Sequence, residues 1–599
     1  MYTINDVHEQ FAEYFNIPAL KPYAYLLSKR LSEGNVCLHL DTILDQLATL
    51  PEPYQQLLLD NKDPSRIPLI GDENHEVQPF ILYHKEMLYL QRYYRYETTI
   101  LQQIYQFLSS EKQALANRLA LLQNNKGYIK SLFTTKGMEE GSDPYNWQLA
   151  AVISGFLNNF TIITGGPGTG KTTTVAKLLV VLYTAYPGLK VALAAPTGKA
   201  AARMAESLRN TNLEMDVSIK GKFLALKPST IHRLLKNERN SPYFKHNSDN
   251  PLAYDVVIVD ECSMIDVALF AKLIDAIGSS TRLILMGDKD QLASIEAGSL
   301  FGDICQAQKE TNLFTPERLS QINEFITSSS PQIPSSFQRI GEQLPLFQHI
   351  VELRHSHRFS ANKGIGRFSK AIIEDNKAIL HEFLQPNADA EVVVDFSYSK
   401  ELFENFVSQY EAYIKEEDIA TALKKLNHSR VLCAVREGPH GLNQVNRNIE
   451  RYLSEKKLIR NNAEFYENRP LILTQNYYEH GLFNGDIGII RPDVNGVLMA
   501  WFEDSDGGLK AILPGYLSLA ETVYAMTIHK SQGSEFSEVL VILPESADIA
   551  LLTSELLYTA VTRAKKRVYL QGSGEVIHLA AGRRVERASG ITERLNRLN

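Results

Sequence analysis

Short apolar runs that alternate with helically patterned segments dominate the middle of the chain. They lie at residues 160–163, 191–194, 256–259 and 283–286 and are mostly aliphatic. Runs of this length, separated by helical patterns, predict buried strands of a parallel α/β sheet that helices cover on both faces. Each run ends in a polar motif, and sheets of this class bind their ligands beyond the carboxyl ends of the strands. The candidate site therefore lies at that edge.

The same patterns divide the chain into three predicted domains. Residues 1–125 show helical periodicity and no catalytic motif, residues 126–345 form a first α/β domain, and residues 346–599 form a second. Within the second, residues 465–520 alternate as strands around an Asp-Val-Asn-Gly turn and predict a small inserted β-module. The predicted class is α/β, with two parallel-sheet domains, a mostly helical N-terminal domain and a β-barrel-like insert.

Residues 88–97 interleave tyrosines with arginines. Such side chains stack on nucleic-acid bases or anchor protein interfaces. An amphipathic helix with tyrosines at the boundary of its core explains the same pattern. The sequence leaves both interpretations open.

Composition restricts the class of protein. At 599 residues, with 44% hydrophobic and 22% charged residues, the chain is typical of multidomain globular proteins. No run approaches the ~20 apolar residues of a membrane span and the N-terminus shows no signal-peptide pattern, so we expect a cytoplasmic protein. The formal net charge of −7 means that any DNA binding must come from a local groove. The cysteines are far apart in sequence and predict buried thiols rather than zinc ligands or disulfides: Cys37, Cys262, Cys305 and Cys433.

A glycine-rich loop follows the first predicted strand. It reads Gly-Gly-Pro-Gly-Thr-Gly-Lys-Thr over residues 165–172, and a helical pattern begins directly after it. Strand, loop and helix in this order are the context of a phosphate-binding P-loop. Glycines let backbone N–H groups turn towards phosphates, and the helix N-terminus contributes the positive end of its dipole. Lys171 would reach the β- and γ-phosphates, and the Thr172 hydroxyl would bind Mg²⁺.

Two acids and an amide follow later strands. Asp260 and Glu261 come directly after the run at 256–259, where Asp260 would hold Mg²⁺ and Glu261 would polarise the attacking water. Gln291, in the polar segment 287–292, could contact the γ-phosphate or the water and report the nucleotide state to a neighbouring element. Each segment alone is compatible with an ordinary loop. Together with the P-loop they predict an ATP and Mg²⁺ site.

The order of these motifs resembles superfamily 1 helicases. The resemblance rests on Gln148, the P-loop and the segments 195–201, 230–235, 260–266, 287–292, 353–359, 524–535 and 557–566. It implies two RecA-like motor domains of the P-loop NTPase class, with ATP in the cleft between them. The segments 294–298, 435–443 and 476–486 are similar, more specifically, to the RecD family, the α subunits of exodeoxyribonuclease V, or RecBCD.

The resemblance implies the roles at the ATP site. Gln148 would read adenine, Arg358 and Arg563 would reach the γ-phosphate from the second motor domain, and Gln291 would couple the two domains. From spacing alone, Arg563 fits a basic surface patch equally well. The implied catalytic set is Lys171, Asp260, Glu261, Gln291, Arg358 and Arg563, and the implied Mg²⁺ ligands are Thr172 and Asp260. The implied nucleotide-binding set is Gln148, Gly165, Gly166, Pro167, Gly168, Thr169, Gly170, Lys171, Thr172 and Thr173.

The resemblance also implies a groove for single-stranded DNA. Hydroxyls, imidazoles and cations suit phosphate contacts that read no sequence. A lone histidine such as His232 is nevertheless more often structural. Residues 236–254 fall where relatives carry a strand-separating hairpin, and an ordinary loop is the alternative. The implied groove residues are Pro196, Thr197, Thr230, His232, Arg233, Thr527, His529 and Lys530.

The function implied by the resemblance is an ATP-driven 5′→3′ single-strand translocase and DNA helicase. It would act on DNA ends with RecB-like and RecC-like subunits, in double-strand-break repair and recombination, with the nuclease activity in a partner subunit. The polarity comes from the resemblance, since no motif displays direction. A stand-alone helicase of the same superfamily and a regulatory subunit with an ATP switch are the alternatives. A nuclease in this chain is disfavoured because no acidic cluster is clearly separate from the ATP site.

Overall fold

The structure is a computed structural model of the chain. It describes residues 6–133, 143–238, 241, 243–308, 310–328, 330–341, 344–360, 362–386, 388–503, 508–585 and 587–597. No helix among these residues is long and apolar enough to cross a membrane. All four cysteines are buried free thiols, as the sequence predicts.

The N-terminal region combines helices with a small sheet. Its helices are α1 (Val7–Tyr14), α2 (Lys21–Ser32), α3 (Glu52–Asp60), α4 (Gln91–Asn124) and α5 (Lys126–Leu132), and its strands are β1 (Cys37–His39), β2 (Ile70–Asp72), β3 (Phe80–Tyr83) and β4 (Met87–Leu90). The sheet has the order β1-β4-β3-β2. The sequence predicts only the helices, because strands of three or four residues are too short to show a period.

The tyrosine and arginine segment spans the end of β4 and the start of α4. Tyr89 and Tyr94 are buried, and the Tyr89 hydroxyl donates to the Glu97 carboxylate at 3.0 Å. Arg92 and Arg95 are exposed. Both tyrosines belong to the core; Tyr94 on α4 agrees with the amphipathic-helix interpretation, whereas Tyr89 lies on a strand that this interpretation does not predict.

The first α/β domain is built on six parallel strands. They are β5 (Phe160–Thr164), β6 (Val191–Ala195), β7 (Ser229–Thr230), β8 (Val256–Val259), β9 (Arg282–Gly287) and β10 (Ile350–Glu352). The helices are α6 (Trp147–Leu157), α7 (Lys171–Ala185), α8 (Gly198–Arg209), α9 (Val217–Ala225), α10 (Ile231–Leu235), α11 (Val267–Asp275), α12 (Leu300–Gln306) and α13 (Pro316–Asn323). The order is β10-β5-β9-β8-β6-β7, and the four predicted strands are confirmed.

The first sheet extends past the boundary that the sequence predicts at 345/346. β10 pairs in parallel with β5, with Ile350 opposite Ile162 and Glu352 opposite Thr164. A strand of three residues is too short to show a hydrophobic period. Only its pairing with β5 therefore shows that β10 belongs to the first sheet. By strand pairing, the first domain ends after Glu352.

The remaining strands form two separate sheets. They are β11 (Val392–Asp395), β12 (Ser429–Cys433), β13 (Pro470–Leu473), β14 (Ile487–Pro492), β15 (Leu498–Glu503), β16 (Leu509–Ile512), β17 (Ala520–Thr522), β18 (Ala525–Thr527), β19 (Phe536–Ile542) and β20 (Ala564–Gln571). The helices are α14 (Gly364–Ile373), α15 (Lys377–Phe383), α16 (Lys400–Val407), α17 (Glu411–Ile414), α18 (Ile419–Leu426), α19 (Leu442–Glu455), α20 (Ser554–Val561), α21 (Gly574–Gly582) and α22 (Ile591–Asn596). One sheet is parallel, in the order β11-β20-β19-β12-β18, and the other is the inserted antiparallel module.

The inserted module is an open sheet by its strand pairing. Its order is β16-β15-β14-β13-β17, and all of these pairs are antiparallel. Among the described residues, β16 and β17 remain as its two edges, whereas the sequence predicts a barrel-like closure. Strand alternation reports which residues face inward but not whether the edges meet.

The C-terminal segment returns to the N-terminal region. Arg594 on α22 forms an ion pair with Glu97 on α4 at 3.2 Å, and the Glu97 side chain is 0% exposed. Glu97 also accepts from the backbone N–H of Gly590 at 3.0 Å. One continuous hydrophobic core contains residues of the N-terminal region, the first parallel sheet and α22. These three parts therefore pack as one unit.

Candidate active site

The P-loop connects β5 to α7 through two residues with left-handed backbone. Gly168 has φ +80° and Gly170, which precedes the first turn of α7, has φ +84°. A Cβ atom on Gly168 would lie 2.4 Å from Cβ of Arg358, so the second domain approaches the loop closely. The Lys171 ammonium lies inside the loop and donates to the carbonyls of Gly165 and Gly166 at 2.6 and 3.2 Å.

Asp260 and Glu261 follow β8 and face this loop. The Glu261 backbone N–H donates to the Asp260 carboxylate at 2.8 Å, and Glu261 has the left-handed φ of +54°. Burial and then the charge of Glu261 raise the pKa of Asp260 to about 6, and Lys171 opposes the shift. Two crowded carboxylates with an excess of negative charge suit a divalent cation, and the Thr172 hydroxyl offers a further hard oxygen donor. These residues therefore fit Mg²⁺.

The segment after β9 is bonded to the second α/β domain. The Gln291 amide and the Tyr558 hydroxyl both donate to the buried Asp288 carboxylate, at 2.9 and 3.1 Å. The Thr559 hydroxyl accepts from the backbone N–H of Leu292 at 2.9 Å. Gln291 is thus linked through Asp288 to α20. The sequence did not single out Tyr558, although it lies within the motif at 557–566.

Residues 356–358 of the second domain lie over the P-loop. The Ser356 hydroxyl donates to the Pro167 carbonyl at 3.0 Å, and the His357 backbone N–H donates to the Gly168 carbonyl at 2.9 Å. Arg358 donates through Nη2 to Glu535 at 2.7 Å. Its other terminal nitrogen, Nη1, is buried and has no hydrogen-bond partner among the described residues. An orphaned buried guanidinium nitrogen beside a P-loop fits an anionic phosphate.

Glu535 is the centre of an ion-pair network across the cleft. It pairs with Arg358, with Lys565 at 3.2 Å and with Arg203 on α8 of the first domain. Burial raises the pKa of Glu535, but Arg203 and Arg358 outweigh it and hold that pKa well below its usual range. Lys199, also on α8, donates to the Ser534 hydroxyl at 2.7 Å. The sequence motifs contain these residues except Arg203, which lies just after the segment 195–201, and they do not show that the residues meet.

Arg563 is buried in the cleft rather than on a surface patch. It is 3% exposed, and it donates to the carbonyls of Thr559 at 3.1 Å and Ser534 at 3.2 Å. Burial lowers its pKa, and the carboxylates of Glu261 and Glu535 oppose that shift. Glu261 and Arg563 come from different domains, so their charges interact across the cleft.

A cleft of about 800 Å³ lies beside the P-loop between the two domains. Gln148, at the start of α6, lines it and donates through Nε2 to the Thr169 carbonyl at 3.3 Å. Other residues that line it are Tyr145, Trp147, Lys177, His355 and Lys363. The cleft is large enough for a nucleotide base and ribose, and it opens at the side of the loop where Gln148 stands.

The predicted DNA contacts lie at strand ends in both domains. Thr197 follows β6 and Thr230 ends β7, and their hydroxyls accept from backbone N–H groups at the N-termini of α8 and α10, both at 3.2 Å. Pro196 is half-buried between β6 and α8. Thr527 ends β18, and its hydroxyl accepts from the Lys530 backbone N–H at 3.3 Å. The three hydroxyls thus stiffen the local turns.

The charged and imidazole members of this set differ in their environments. His232 and Arg233 are exposed on α10. The Lys530 ammonium pairs with Glu521 at 2.9 Å. Burial, with the charge of Arg587, lowers the pKa of His529 to about 4, so its imidazole is neutral at pH 7. Arg233 and Lys530 are therefore the cations of the set.

The inserted β-module contacts the first domain beside these residues. The Phe483 ring packs against Gly198, where an added Cβ would lie 2.8 Å from the ring, and the Arg233 guanidinium lies 5.9 Å from the ring centroid. In the predicted hairpin at 236–254, Asn237 bridges Phe244 in antiparallel fashion. Residues 239, 240 and 242 of that hairpin lie outside the described residues.

Comparisons with known proteins agree with this architecture. A family model described as an AAA domain matches residues 148–297, and one described as a UvrD-like helicase C-terminal domain matches residues 522–571. The chain is 36% identical to "RecBCD enzyme subunit RecD" of Mycobacterium tuberculosis over 86% of this chain and 81% of that protein. It is 31% identical to the protein of the same name from Haemophilus influenzae, over 96% and 93%. "ATP-dependent RecD2 DNA helicase" of Deinococcus radiodurans is 29% identical over 77% of this chain and 53% of that protein.

Two parallel-sheet domains share one cleft. The first contributes a P-loop to it, and the second contributes arginines. This arrangement defines a two-domain P-loop helicase. The sequence matches then specify which one. The chain belongs to the RecD family, and it is an ATP-hydrolysing DNA helicase.

Proposed function

We propose that this chain is the α subunit of a RecBCD-type helicase and nuclease, in which it moves 5′→3′ along single-stranded DNA. It acts in the cytoplasm on DNA ends, with RecB-like and RecC-like subunits, in double-strand-break repair and recombination. The nuclease activity belongs to a partner. The observation that carries the motor function is the contact of both parallel-sheet domains with one P-loop: the loop belongs to the first domain, and Tyr558 on α20 of the second lies over Gly166, where an added Cβ would be 2.8 Å from its hydroxyl.

In this proposal ATP lies in the cleft with its base at Gln148 and its phosphates along the loop from Gly165 to Thr173. Thr172 and Asp260 would hold Mg²⁺, which would neutralise charge on the phosphates. Lys171 stabilises the β- and γ-phosphates, and Glu261 orients and polarises the attacking water. Burial, and after it the charge of Glu261, raises the pKa of Asp260, and this supports the assignment because a bound cation would stabilise the ionised carboxylate against both.

The buried Arg563 and the half-buried Arg358 complete the site from the second domain. Arg563 already interacts with Glu261, and Arg358 lies over Gly168 while it is bound to Glu535. A γ-phosphate would compete with Glu535 for the Arg358 guanidinium, since both ligands are anionic oxygens. Nucleotide binding and hydrolysis would therefore change the ion pairs that join the two domains. Gln291 would sense the same change through Asp288 and Tyr558.

Strand movement follows if the DNA groove spans both domains. Pro196, Thr197, Thr230, His232 and Arg233 would hold the strand on the first domain. Thr527, His529 and Lys530 would hold it on the second. Because the two groups belong to different domains, closing and reopening the cleft between those domains would change their separation.

The test is unwinding by the assembled enzyme in conditions where this subunit is the only active motor. Unwinding of 5′-tailed duplexes and failure on 3′-tailed duplexes is the expected result, and a strict preference for 3′ tails would contradict the proposed polarity. Lys171→Gln should abolish this unwinding, whereas Lys190→Met, at an exposed lysine of the same domain, should not. Unchanged unwinding by the Lys171→Gln enzyme would favour the regulatory switch over the motor.

A further inference from the structure

The side-chain amide of Gln148 makes two hydrogen bonds, one as a donor and one as an acceptor. Its Nε2 donates to the Thr169 carbonyl at 3.3 Å, and its Oε1 accepts from the Lys177 ammonium at 3.2 Å. Lys177 is on α7, about one and a half turns beyond the P-loop, and it lines the same cleft as Gln148. The sequence motifs assign no role to Lys177.

The chemistry of these partners permits one orientation of the amide. An ammonium group only donates hydrogen bonds and a backbone carbonyl only accepts them. A rotated amide would place its NH₂ against the ammonium of Lys177 and its oxygen against the carbonyl of Thr169. Both contacts would be repulsive. The positions of the amide oxygen and nitrogen, which are often ambiguous for a glutamine, are therefore fixed for Gln148.

Lys177 is itself held in place. Its ammonium lies 4.4 Å from the centroid of the Phe133 ring, a cation–π contact. Among the described residues no carboxylate forms an ion pair with it. Burial lowers the pKa of Lys177 to about 8, which still leaves it mostly protonated at pH 7. On the opposite side the Gln148 amide lies against Gly170, where an added Cβ would be 2.4 Å from Nε2.

The fixed amide keeps one free acceptor site on Oε1 and one free N–H on Nε2. Adenine presents the complementary pair, a donor N6–H and the acceptor N7, whereas a base with a carbonyl at position 6 presents two acceptors. We propose that Lys177 is a positioning residue that makes the nucleotide site selective for adenine by fixing the amide of Gln148. The inference rests on the proposed function, in which Gln148 reads the base.

The test measures nucleotide affinity of the full-length chain, without hydrolysis. ADP and IDP, which carries a carbonyl at position 6, compete with a fluorescent ADP analogue for the site. The unaltered chain should prefer ADP about tenfold or more, the discrimination typical of a bidentate amide contact. Lys177→Met keeps the aliphatic stem. It should reduce the preference for ADP over IDP to within about threefold, mainly by weakening the binding of ADP. Lys177→Gln, whose amide both donates and accepts hydrogen bonds, should reduce the preference in the same way. It replaces the methionine variant in the test if that variant does not fold.

The outcomes separate this inference from the proposed role of Gln148. If both Lys177 variants bind ADP and IDP more weakly by the same factor, the role of the lysine is merely structural and the inference is overturned. An unchanged preference for ADP in both variants would overturn it too. Gln148→Ala should lose the preference as well, and Lys177→Met should then have no further effect in that background. If Gln148→Ala keeps the preference, Gln148 does not read the base and the proposed role of that residue fails. Lys190→Met is the matched control and should behave as the unaltered chain.

Discussion

Replacement of Arg594 by methionine should release the C-terminal segment from the N-terminal region. Glu97 is 0% exposed, and the Arg594 guanidinium at 3.2 Å is its cationic partner. Loss of one member of a buried ion pair costs about 3–5 kcal/mol, because the remaining charge is left in a desolvated site. The Tyr89 hydroxyl and the Gly590 N–H still donate to Glu97, so we expect the lower end of that range.

The loss should depend on pH with a defined sign. Burial raises the pKa of Glu97 above its ordinary value of 4.5, and Arg594 is the strongest influence in the opposite direction. Without Arg594 the folded-state pKa rises further, so the folded chain binds this proton more tightly than the unfolded chain. Protonation of Glu97 therefore stabilises the folded chain fully below pH 4.5. This stabilisation is lost as pH rises through the folded-state pKa, and the free energy of unfolding falls by at most about 1.4 kcal/mol per pH unit. The deficit of Arg594→Met should therefore grow from pH 5 towards pH 8.

Hydrogen exchange of the α22 backbone amides, corrected for the intrinsic pH dependence of exchange, measures this opening locally. The Arg594→Met chain should lose protection by on the order of 10²-fold or more at pH 8. Lys370→Met, which removes an ion pair whose lysine is 62% exposed, should cost less than about 1 kcal/mol. Glu97→Gln combined with Arg594→Met should recover part of the loss, because no buried charge remains. Unchanged protection, or a deficit that does not vary with pH, would refute the reasoning.

Three substitutions at the proposed sites have separable outcomes. Gly168→Ala forces a Cβ at φ +80° into the side chain above it and should weaken ATP binding at least tenfold in a nucleotide titration, whereas Gly188→Ala, with nothing within 4 Å, should be neutral. Arg563→Ala should lower the ATPase kcat by about 10³-fold with a much smaller change in nucleotide affinity, and the exposed Arg567→Ala should leave kcat unchanged; equal effects on both quantities would argue against a transition-state role. Arg233→Ala should weaken single-strand binding and reduce its salt dependence by about one phosphate contact in a titration against ionic strength, and an unchanged slope would exclude a phosphate contact there.

The sequence predicted the parallel strands because they are buried runs, and it predicted the P-loop because its residues are consecutive. Residues 160–163 and 256–259 coincide with β5 and β8 to within one residue. The strand β10 was missed, since three residues carry no period and only their pairing with β5 defines them. The four-stranded N-terminal sheet was missed for the same reason.

The parts of the site that depend on distant pairs could not be read from the sequence. Glu535 meets Arg203 and Arg358 only through the packing of two domains. Lys177 meets Gln148 because α6 and α7 lie side by side. Motif order indicated which elements carry chemistry, but a charge partner is a property of the fold. The roles of the predicted site residues stay predictions until the substitutions are made.

The two interfaces of the first α/β domain differ in chemistry, and this difference indicates which parts move. Its contact with the N-terminal region is a shared hydrophobic core that includes Tyr89, Phe107, Phe160 and Ile591. Its contact with the second domain buries one apolar side chain, Leu292, in the core of that domain, and it includes the ion pairs of Glu535 and single hydrogen bonds such as Tyr558 to Asp288. Ion pairs and hydrogen bonds can exchange partners at small net cost, whereas opening a shared core exposes apolar surface.

Deletion of residues 1–125 should therefore disrupt folding rather than only remove a partner interface. The deletion would expose the face of α11 that packs on α4 and would leave Arg594 without Glu97. We expect the truncated chain to elute as aggregate in size-exclusion chromatography and to lose nucleotide binding, because exposed core surface drives association. A chain that lacks residues 1–125 yet stays monomeric and binds ADP normally would show that the core is divisible there. Substitution of exposed residues such as Arg92 and Arg95 tests partner binding without that loss, since neither side chain is part of the core.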